Sequence, residues 1–303
     1  MRLGGSEPFF LLSAYSGKQG RLLVCMQPPV GRVNRSNCPI RPEMRNCDEG
    51  CVRGLYARTS MQAPHTPLRQ YYGEEQDRAG WVRGLFDRTA GDYDRIERAM
   101  ALGSGSWYRR RTLARAGLRP GMRVLDIGTG TGLTAREAAR LAGAAAVIGV
   151  DPSAGMMEHA KVPAGVRLLR GTAEEIPSPA SSADFVSMGY ALRHVGDLSA
   201  ALREFVRVLV PGGRVCLLEI TAPESRLSRA ALRIYMRGVV PLMARCMAAH
   251  RDTPQLMRYY WDTIDTCAHP TLILSAMREA GLADVDRHVD LGIFSTYCGT
   301  KPL

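Results

Sequence analysis

Lysine is nearly missing from this chain of 303 residues: Lys18, Lys161 and Lys301 are its only lysines, so arginine carries the rest of the 40 basic charges set against 29 acidic ones. Nowhere do the basic residues gather into a run of about five or six, the length that reads as a nucleic-acid-binding tail. The net charge of +11 is diffuse. Residues 1–60 hold nine basic and four acidic residues, and the remaining excess is scattered. Nucleic acid is therefore not expected as a partner. Long apolar runs are absent too. Val215-Cys216-Leu217-Leu218 and the stretch from Gly238 to Met243 fall far short of the ~18 residues a helical membrane crossing needs. The cysteines (Cys25, Cys38, Cys47, Cys51, Cys216, Cys246, Cys267 and Cys298) lack the paired Cys-x2-Cys spacing of a structural zinc site, and the six histidines show no ligand spacing. No metal is expected. A reducing, cytoplasmic setting is the default for such cysteine usage. What is present, 46% hydrophobic and 23% charged residues, is the composition of a globular chain with a sizeable core.

Residues 1–60 show no sustained period and are punctuated by Gly, Pro, Arg, Asn and Ser, as in Gln27-Pro28-Pro29-Val30-Gly31-Arg32. They read as a disordered extension or as sequence upstream of a mis-assigned start, with Met44 and Met61 as alternative beginnings. From residue 61 to 303 helical and strand patterns alternate, the signature of one α/β domain with a mostly parallel sheet. Strands are predicted at Val124–Ile127, Ala145–Val150, Arg167–Arg170, Phe185–Tyr190 and Val215–Ile220, with two more near Val285 and Thr296–Gly299. The repeat Leu202, Phe205, Val206, Leu209 predicts a helix stopping at Pro211-Gly212-Gly213, and another is predicted from Leu272 to Ala280, between Pro270 and Gly281.

The most informative stretch is Val124-Leu125-Asp126-Ile127-Gly128-Thr129-Gly130-Thr131-Gly132. It runs from a strand into a helix beginning near Leu133. Glycines there allow positive φ and let a ligand approach main-chain amides, in the crevice where open α/β sheets bind nucleosides. Asp151, after the second strand, can accept both hydrogen bonds of a ribose diol. A nicotinamide dinucleotide would satisfy these two features equally well. Its fingerprint, however, is Gly-x-Gly-x-x-Gly, whereas the spacing here is Gly-x-Gly-x-Gly followed by Leu133. Asp126 would repel a pyrophosphate and suits a cationic amino-acid moiety such as that of S-adenosylmethionine.

Four further stretches sharpen the reading: Leu85-Phe86-Asp87 through Asp92-Tyr93-Asp94, Arg170-Gly171-Thr172-Ala173-Glu174, Met188-Gly189-Tyr190-Ala191-Leu192-Arg193-His194, and Arg207-Val208-Leu209-Val210-Pro211-Gly212-Gly213. Through them the chain resembles class I S-adenosylmethionine-dependent methyltransferases, and within these the ubiquinone/menaquinone-biosynthesis C-methyltransferase family, from about Trp81 to the C-terminus. The resemblance implies a Rossmann-like, seven-stranded, mostly parallel sheet with the last strand antiparallel and helices on both faces. It also implies cap helices over about 76–117 and a substrate-lid insertion over about 222–265. Carried over by the same resemblance, the cofactor contacts fall on Thr131, Asp151, Thr172, Ala173 and Gly189, alongside Asp126, Gly128, Gly130 and Gly132 of the loop; Tyr93 is the candidate to close over the cofactor. Thr172 stands where the family usually has Asn or Asp, and Gly189 where Ser is common. At the acceptor end His194 replaces an Asn and Glu97 another Asn, which puts the quinone substrate rather than the reaction in question.

Methyl transfer needs nucleophile, methyl carbon and sulfur in line, with water kept out. If a ring carbon attacks, a neighbouring phenol should ionise, which costs about 4 kcal/mol at neutral pH. Arg193 is the candidate to stabilise the phenolate, and His194 the candidate base. The expected acceptor is a small apolar, aromatic or quinol molecule, methylated at carbon. Transfer to oxygen or nitrogen of a lipid or secondary metabolite is the alternative, and a cofactor-binding scaffold without turnover a further one. The stretch Leu232–Met247 with Tyr259-Tyr260-Trp261 reads equally as a greasy pocket wall or as a helical lid packed on the core. Arg233, Arg237 and Arg245 beside it are candidates for a peripheral contact with anionic lipid.

Overall fold

The structure, a computed structural model, describes residues 63–303 and, ahead of them, the two-residue strands Tyr15–Ser16 and Leu22–Leu23, which pair antiparallel. The expectation for residues 1–60 otherwise lies outside the described residues. The chain divides into two units, Met1–Ala57 and Arg58–Leu303.

The second unit holds a sheet of seven strands: β1 (Val124–Ile127), β2 (Val147–Asp151), β3 (Arg167–Arg170), β4 (Ala183–Gly189), β5 (Leu209–Ile220), β6 (Ala283–Asp290) and β7 (Phe294–Thr300). They lie in the order β3-β2-β1-β4-β5-β7-β6. All neighbouring pairs from β3 to β5 are parallel, and β7 runs antiparallel to both β5 and β6, so the last strand is the reversed one. Every residue of β1 is buried. A central parallel strand covered on both faces has no solvent side, which is why it reads as an apolar run rather than an alternation. Leu125 and Ile127 pack on one face with Phe205 and Met277, while Val124 points to the other face, among Leu113, Ala135 and Ala138.

The predicted strands lie where expected, with two shifts. Ala144–Ala146 forms a 3-10 turn, so β2 begins at Val147. The predicted helix of Leu202 ends at Val208, and β5 starts at Leu209 and runs through Pro211-Gly212-Gly213. Those residues sit where the β4–β5 register breaks, so the Pro-Gly-Gly signal marks a bulge in a strand rather than a loop between elements.

Ahead of the sheet come α1 (Arg69–Tyr72), α2 (Arg78–Met100) and α3 (Gly105–Arg115). Between strands lie α4 (Leu133–Ala142), α5 (Ala154–Glu158) and α6 (Leu198–Val208). After β5 come α7 (Arg226–Ile234), a π-helical turn at Tyr235–Val239, α8 (Val240–Met247), α9 (Thr253–Asp265) and α10 (Pro270–Glu279). A second core joins α2 to the post-β5 helices, with Leu85 and Ile96 packed against Val240, Met257, Tyr259 and Trp261.

Candidate active site

Three aspartates of α2 tie that helix over the strand ends. Asp87 accepts hydrogen bonds from the Ser153 hydroxyl and, at 2.9 Å, from the Gly155 N–H, anchoring the start of α5. The contact is close enough that a Cβ on Gly155 would lie 2.7 Å from the Asp87 carbonyl oxygen. Asp92 accepts from the N–H groups of Ala249 and His250 and from the Thr253 hydroxyl, which holds the beginning of α9. Asp94 accepts the Thr131 hydroxyl of the glycine loop and pairs with Arg136 at 3.4 Å. The acidic residues around Phe86 and Tyr93 are thus clamps on both neighbours of the site.

Under α2 the carboxyl ends of β1, β2 and β4 open into a cavity of about 820 Å³. Gly128, Gly130, Thr131, Asp151, Thr172, Ala173, Gly189, Tyr93 and His194 all line it, so the structure brings together most of the residues singled out in the sequence. Gly128 and Gly130 have φ of +65° and +55°, and a Cβ on Gly128 would come within 2.6 Å of the Ala191 methyl. Asp151 accepts the Gly130 N–H at 2.7 Å and the Ser153 N–H at 2.8 Å. Burial pushes its pKa up to about 6 despite these two bonds, which favour the carboxylate.

Three expected residues are not part of the cavity wall. Asp126 is fully buried behind the loop, accepting the hydroxyls of Thr129 and Ser187, each at 2.7 Å. Its pKa, too, is pushed up to about 6 by burial, and it braces the loop rather than facing a cationic ligand. Gly132, at φ +84°, ends the loop ahead of α4, where a Cβ would meet the Val162 side chain at 2.4 Å. Arg193 is the third. Its guanidinium is ion-paired with Glu219, donates to the Thr263 hydroxyl at 3.1 Å and lies 4.9 Å over the Tyr260 ring. Both members of the pair are buried; burial pulls against the arginine's charge, and Glu219 together with Tyr260, Tyr93 and Cys267 outweighs it, so its pKa is raised. The arginine fixes Tyr260, which does line the cavity, instead of reaching an acceptor itself.

His194 does face the cavity, stacked on Tyr259 and Tyr260 at 5.5 and 5.7 Å and edge-on to Phe86 at 5.2 Å. Neither ring nitrogen has a hydrogen-bond partner. Burial, then the cationic Arg193 and Arg78 and the neighbouring His65 ring, hold its pKa well below the ordinary histidine value, so the ring is neutral. This weakens the expected role as a strong base, since an imidazolium here would sit among like charges.

Sequence reasoning missed two buried arginines on the wall. Arg109 pairs with Glu97 at 2.7 Å and lies 5.1 Å over the ring of Tyr190, a residue held at φ +62° directly after β4. Arg78 donates to the carbonyls of Arg193 and Val195 at 3.2 and 3.0 Å and lies 3.1 Å from His65 Nε2. In each arginine the Nε is buried without a partner. Arg109 sits in the string Trp107-Tyr108-Arg109-Arg110-Arg111, where the sequence offers no sign of which arginine turns inward. Thr134 was also missed. Its hydroxyl fills the space beside Gly189, 2.1 Å from where a Cβ would be. Of the insertion after β5, only Tyr260 reaches the wall. Met236, Val240 and Ala244 pack on the α2 side instead, so Leu232–Met247 is not a pocket wall.

A main-chain cradle, a carboxylate acceptor at a strand end and an incompletely paired buried guanidinium lie in one cavity and complement a ligand that carries a diol and a carboxylate. S-adenosylmethionine fits it. The ubiE/COQ5 methyltransferase family matches residues 72–301. The chain is 34% identical to a demethylmenaquinone methyltransferase of Symbiobacterium thermophilum, the match covering 75% of this chain and 94% of that protein. It is 31% identical to the ubiquinone/menaquinone biosynthesis C-methyltransferase UbiE of Hahella chejuensis, over 73% of this chain and 91% of the relative. Among solved structures it resembles in fold a SAM-dependent methyltransferase, possible histamine N-methyltransferase, from Thermotoga maritima, with TM-score 0.52 and 24% identity over 72% of this chain and 98% of that one. Fold, loop and relatives agree: this chain belongs to the ubiE/COQ5 methyltransferase family and is an S-adenosylmethionine-dependent methyltransferase.

Proposed function

We propose that the protein methylates a ring carbon of a quinol- or phenol-type acceptor. The observation that carries this reading is the two-ended cavity, with Asp151 and the glycine loop at one end and Phe86, Tyr93, Tyr260 and His194 at the other. At about 820 Å³ it has room for a nucleoside and a second ring together. In this reading Gly128, Gly130 and Thr131 cradle the cofactor, Asp151 accepts its diol, and Thr172 and Ala173 lie beside the adenine. Gly189 and Tyr93 bound the methionine portion, and Arg109 meets its carboxylate. Asp126 and Gly132 act by shaping the loop. Bound there, S-adenosylmethionine supplies an electrophilic methyl on a sulfonium.

The aromatic side chains hold an acceptor ring flat and exclude water from the reacting atoms. Arg78, rather than Arg193, is the buried guanidinium on the wall beside His194; one of its amino groups pairs with Glu75 at 3.3 Å, and its free Nε offsets the charge of an ionising hydroxyl. His194 accepts a hydrogen bond from that hydroxyl, orients it and relays its proton to solvent as the ring carbon takes the methyl, without a stable imidazolium. The names of the relatives, demethylmenaquinone methyltransferase and ubiquinone/menaquinone biosynthesis C-methyltransferase, support a quinol as acceptor. A quinol with an isoprenoid tail resides in a bilayer, so a cytoplasmic protein with peripheral membrane contact is part of the proposal.

The test is methyl transfer from labelled S-adenosylmethionine into a panel of quinols and phenols, with the product carbon located by NMR. Label on a ring carbon is the expected result. Label on oxygen or nitrogen, or no transfer while calorimetry still records cofactor binding, overturns the acceptor assignment.

A further inference from the structure

The helix formed by α7, the π turn and α8 spans residues 226–247, roughly 33 Å at the usual rise, and one of its faces is left bare. No residue of α7 is buried. Leu227, Ile234 and Leu242 are 80%, 68% and 63% exposed, with Val239 and Met247 exposed beside them and the small Ala230, Ala231 and Gly238 between. The steps 227, 230/231, 234, 238 and 242 follow one stripe, and the wider π turn absorbs the drift that repeated steps of four would otherwise build up. The opposite face, through Met236, Val240 and Ala244, packs on the second core.

The same helix carries Arg226, Arg229, Arg233, Arg237 and Arg245 and no acidic residue. Arg229 and Arg233 pair with Asp265 and Arg237 with Asp262, all on α9. Arg226 and Arg245 have no ion-pair partner among the described residues. An apolar stripe flanked by arginines is the pattern of a helix lying in a membrane interface, with apolar side chains among the acyl chains and guanidiniums at phosphate level. A second copy is the competing occupant. A two-fold contact on the stripe would bring two arginine-rich helices together, whereas anionic headgroups complement them.

We propose that the exposed face of α7–α8 docks onto an anionic lipid bilayer. This deepens the membrane contact proposed above and rests on that reading. None of these side chains lines the cavity. The experiment is co-sedimentation of the full chain with phosphatidylcholine vesicles with or without phosphatidylglycerol, without cofactor or acceptor, so that docking and methyl transfer fail separately. The wild type should bind the anionic vesicles, and less so as salt rises. Ile234→Glu with Leu242→Glu should weaken binding about tenfold or more, with circular dichroism, melting and transfer to a tail-less acceptor unchanged. Arg226→Gln with Arg245→Gln should lower binding and its salt dependence together. Docking is overturned if the wild type stays with the supernatant, if the Glu variant binds equally well, or if the wild type is a dimer that the Glu variant splits into monomers.

Discussion

The two ends of the cavity are built by different means. At the cofactor end, Arg109 of α3 apart, the ligand-facing groups are mostly main-chain atoms and short side chains at the tips of β1 to β4, fixed by local turn geometry and by a sheet that cannot shift without breaking its ladders. At the acceptor end the wall consists of long side chains from α2 and α9 and the turn after β4, held by contacts between residues far apart in sequence, such as the Tyr260 hydroxyl to Tyr93 at 2.7 Å. The first construction suits an invariant ligand and the second a wall that can be respecified by substitution. Within that difference lie three buried arginines: Arg109 and Arg78 face the cavity, while Arg193 supports its wall from behind.

The contrast between Arg193 and Arg78 gives the largest expected effect. Arg193→Ala leaves Glu219 buried and unpaired, and removing one partner of such a pair typically costs about 3–5 kcal/mol. The melting temperature should fall by roughly 10 °C, and Arg193→Met with Glu219→Gln should recover much of it. Arg78→Gln should instead lower kcat with a smaller change in melting. If Arg193→Ala kept its melting temperature and lost only turnover, Arg193 would belong to the acceptor end after all.

Arg109 sharpens the comparison at the other end. A charge-assisted hydrogen bond is worth about 1.5–3 kcal/mol, so Arg109→Gln should weaken S-adenosylmethionine binding roughly thirtyfold by calorimetry. The loss should be much smaller for a cofactor analogue without the carboxylate. Equal losses for both ligands would mean that Arg109 supports Tyr190 and nothing more.

This division also explains what could be read from the sequence. The glycine spacing, Asp151 and the residues after β3 and β4 were legible because each is local: a turn, a strand end, a short helix start. Arg193 was misplaced for a related reason. Its position after β4 is readable, but the direction of its guanidinium depends on Glu219, which lies on β5, and on Thr263 of α9. Asp126 reads as a charge near the ligand, yet Ser187 on the neighbouring strand and Thr129 turn it inward. Arg78, Arg109 and Thr134 gave no signal, since an arginine in an arginine-rich helix or a threonine in a first helical turn is ordinary. Burial decides their role, and burial is a property of the packed chain.

The pH dependence of cofactor binding separates the ends by charge. Burial raises the Asp151 pKa to about 6 in the free protein, and a bound diol, donating to the carboxylate, favours the ionised form. Affinity should therefore hold above that value and fall as the pH drops through it, by about tenfold one unit below. The stability sign is opposite. A carboxyl whose pKa rises on folding binds its proton more tightly in the folded state, so this group's contribution to the free protein's stability grows as pH falls from above 6 toward the unfolded value near 4. Asp151→Asn should flatten both trends. A wild-type affinity that stayed level through pH 6 would remove Asp151 from the diol.

The smallest effect tests whether the cofactor end is as fixed as it looks. A side chain at position 189 would overlap the Thr134 hydroxyl, because a Cβ there would sit 2.1 Å from that oxygen and 3.2 Å from the Thr134 Cβ. Threonine on a helix has few rotamers with which to withdraw. Gly189→Ser should therefore cost about 1–2 kcal/mol, in the range of a mild overpacking, and weaken cofactor binding with it. Removing the obstruction in the double variant Gly189→Ser with Thr134→Ala should restore both, because the serine then supplies the hydroxyl that threonine supplied. Non-additivity of this size is expected only for groups that share one space. If the two single variants simply added, the hydroxyl of α4 and the strand end of β4 would be independent, and this end of the cavity would be as open to respecification as the aromatic one.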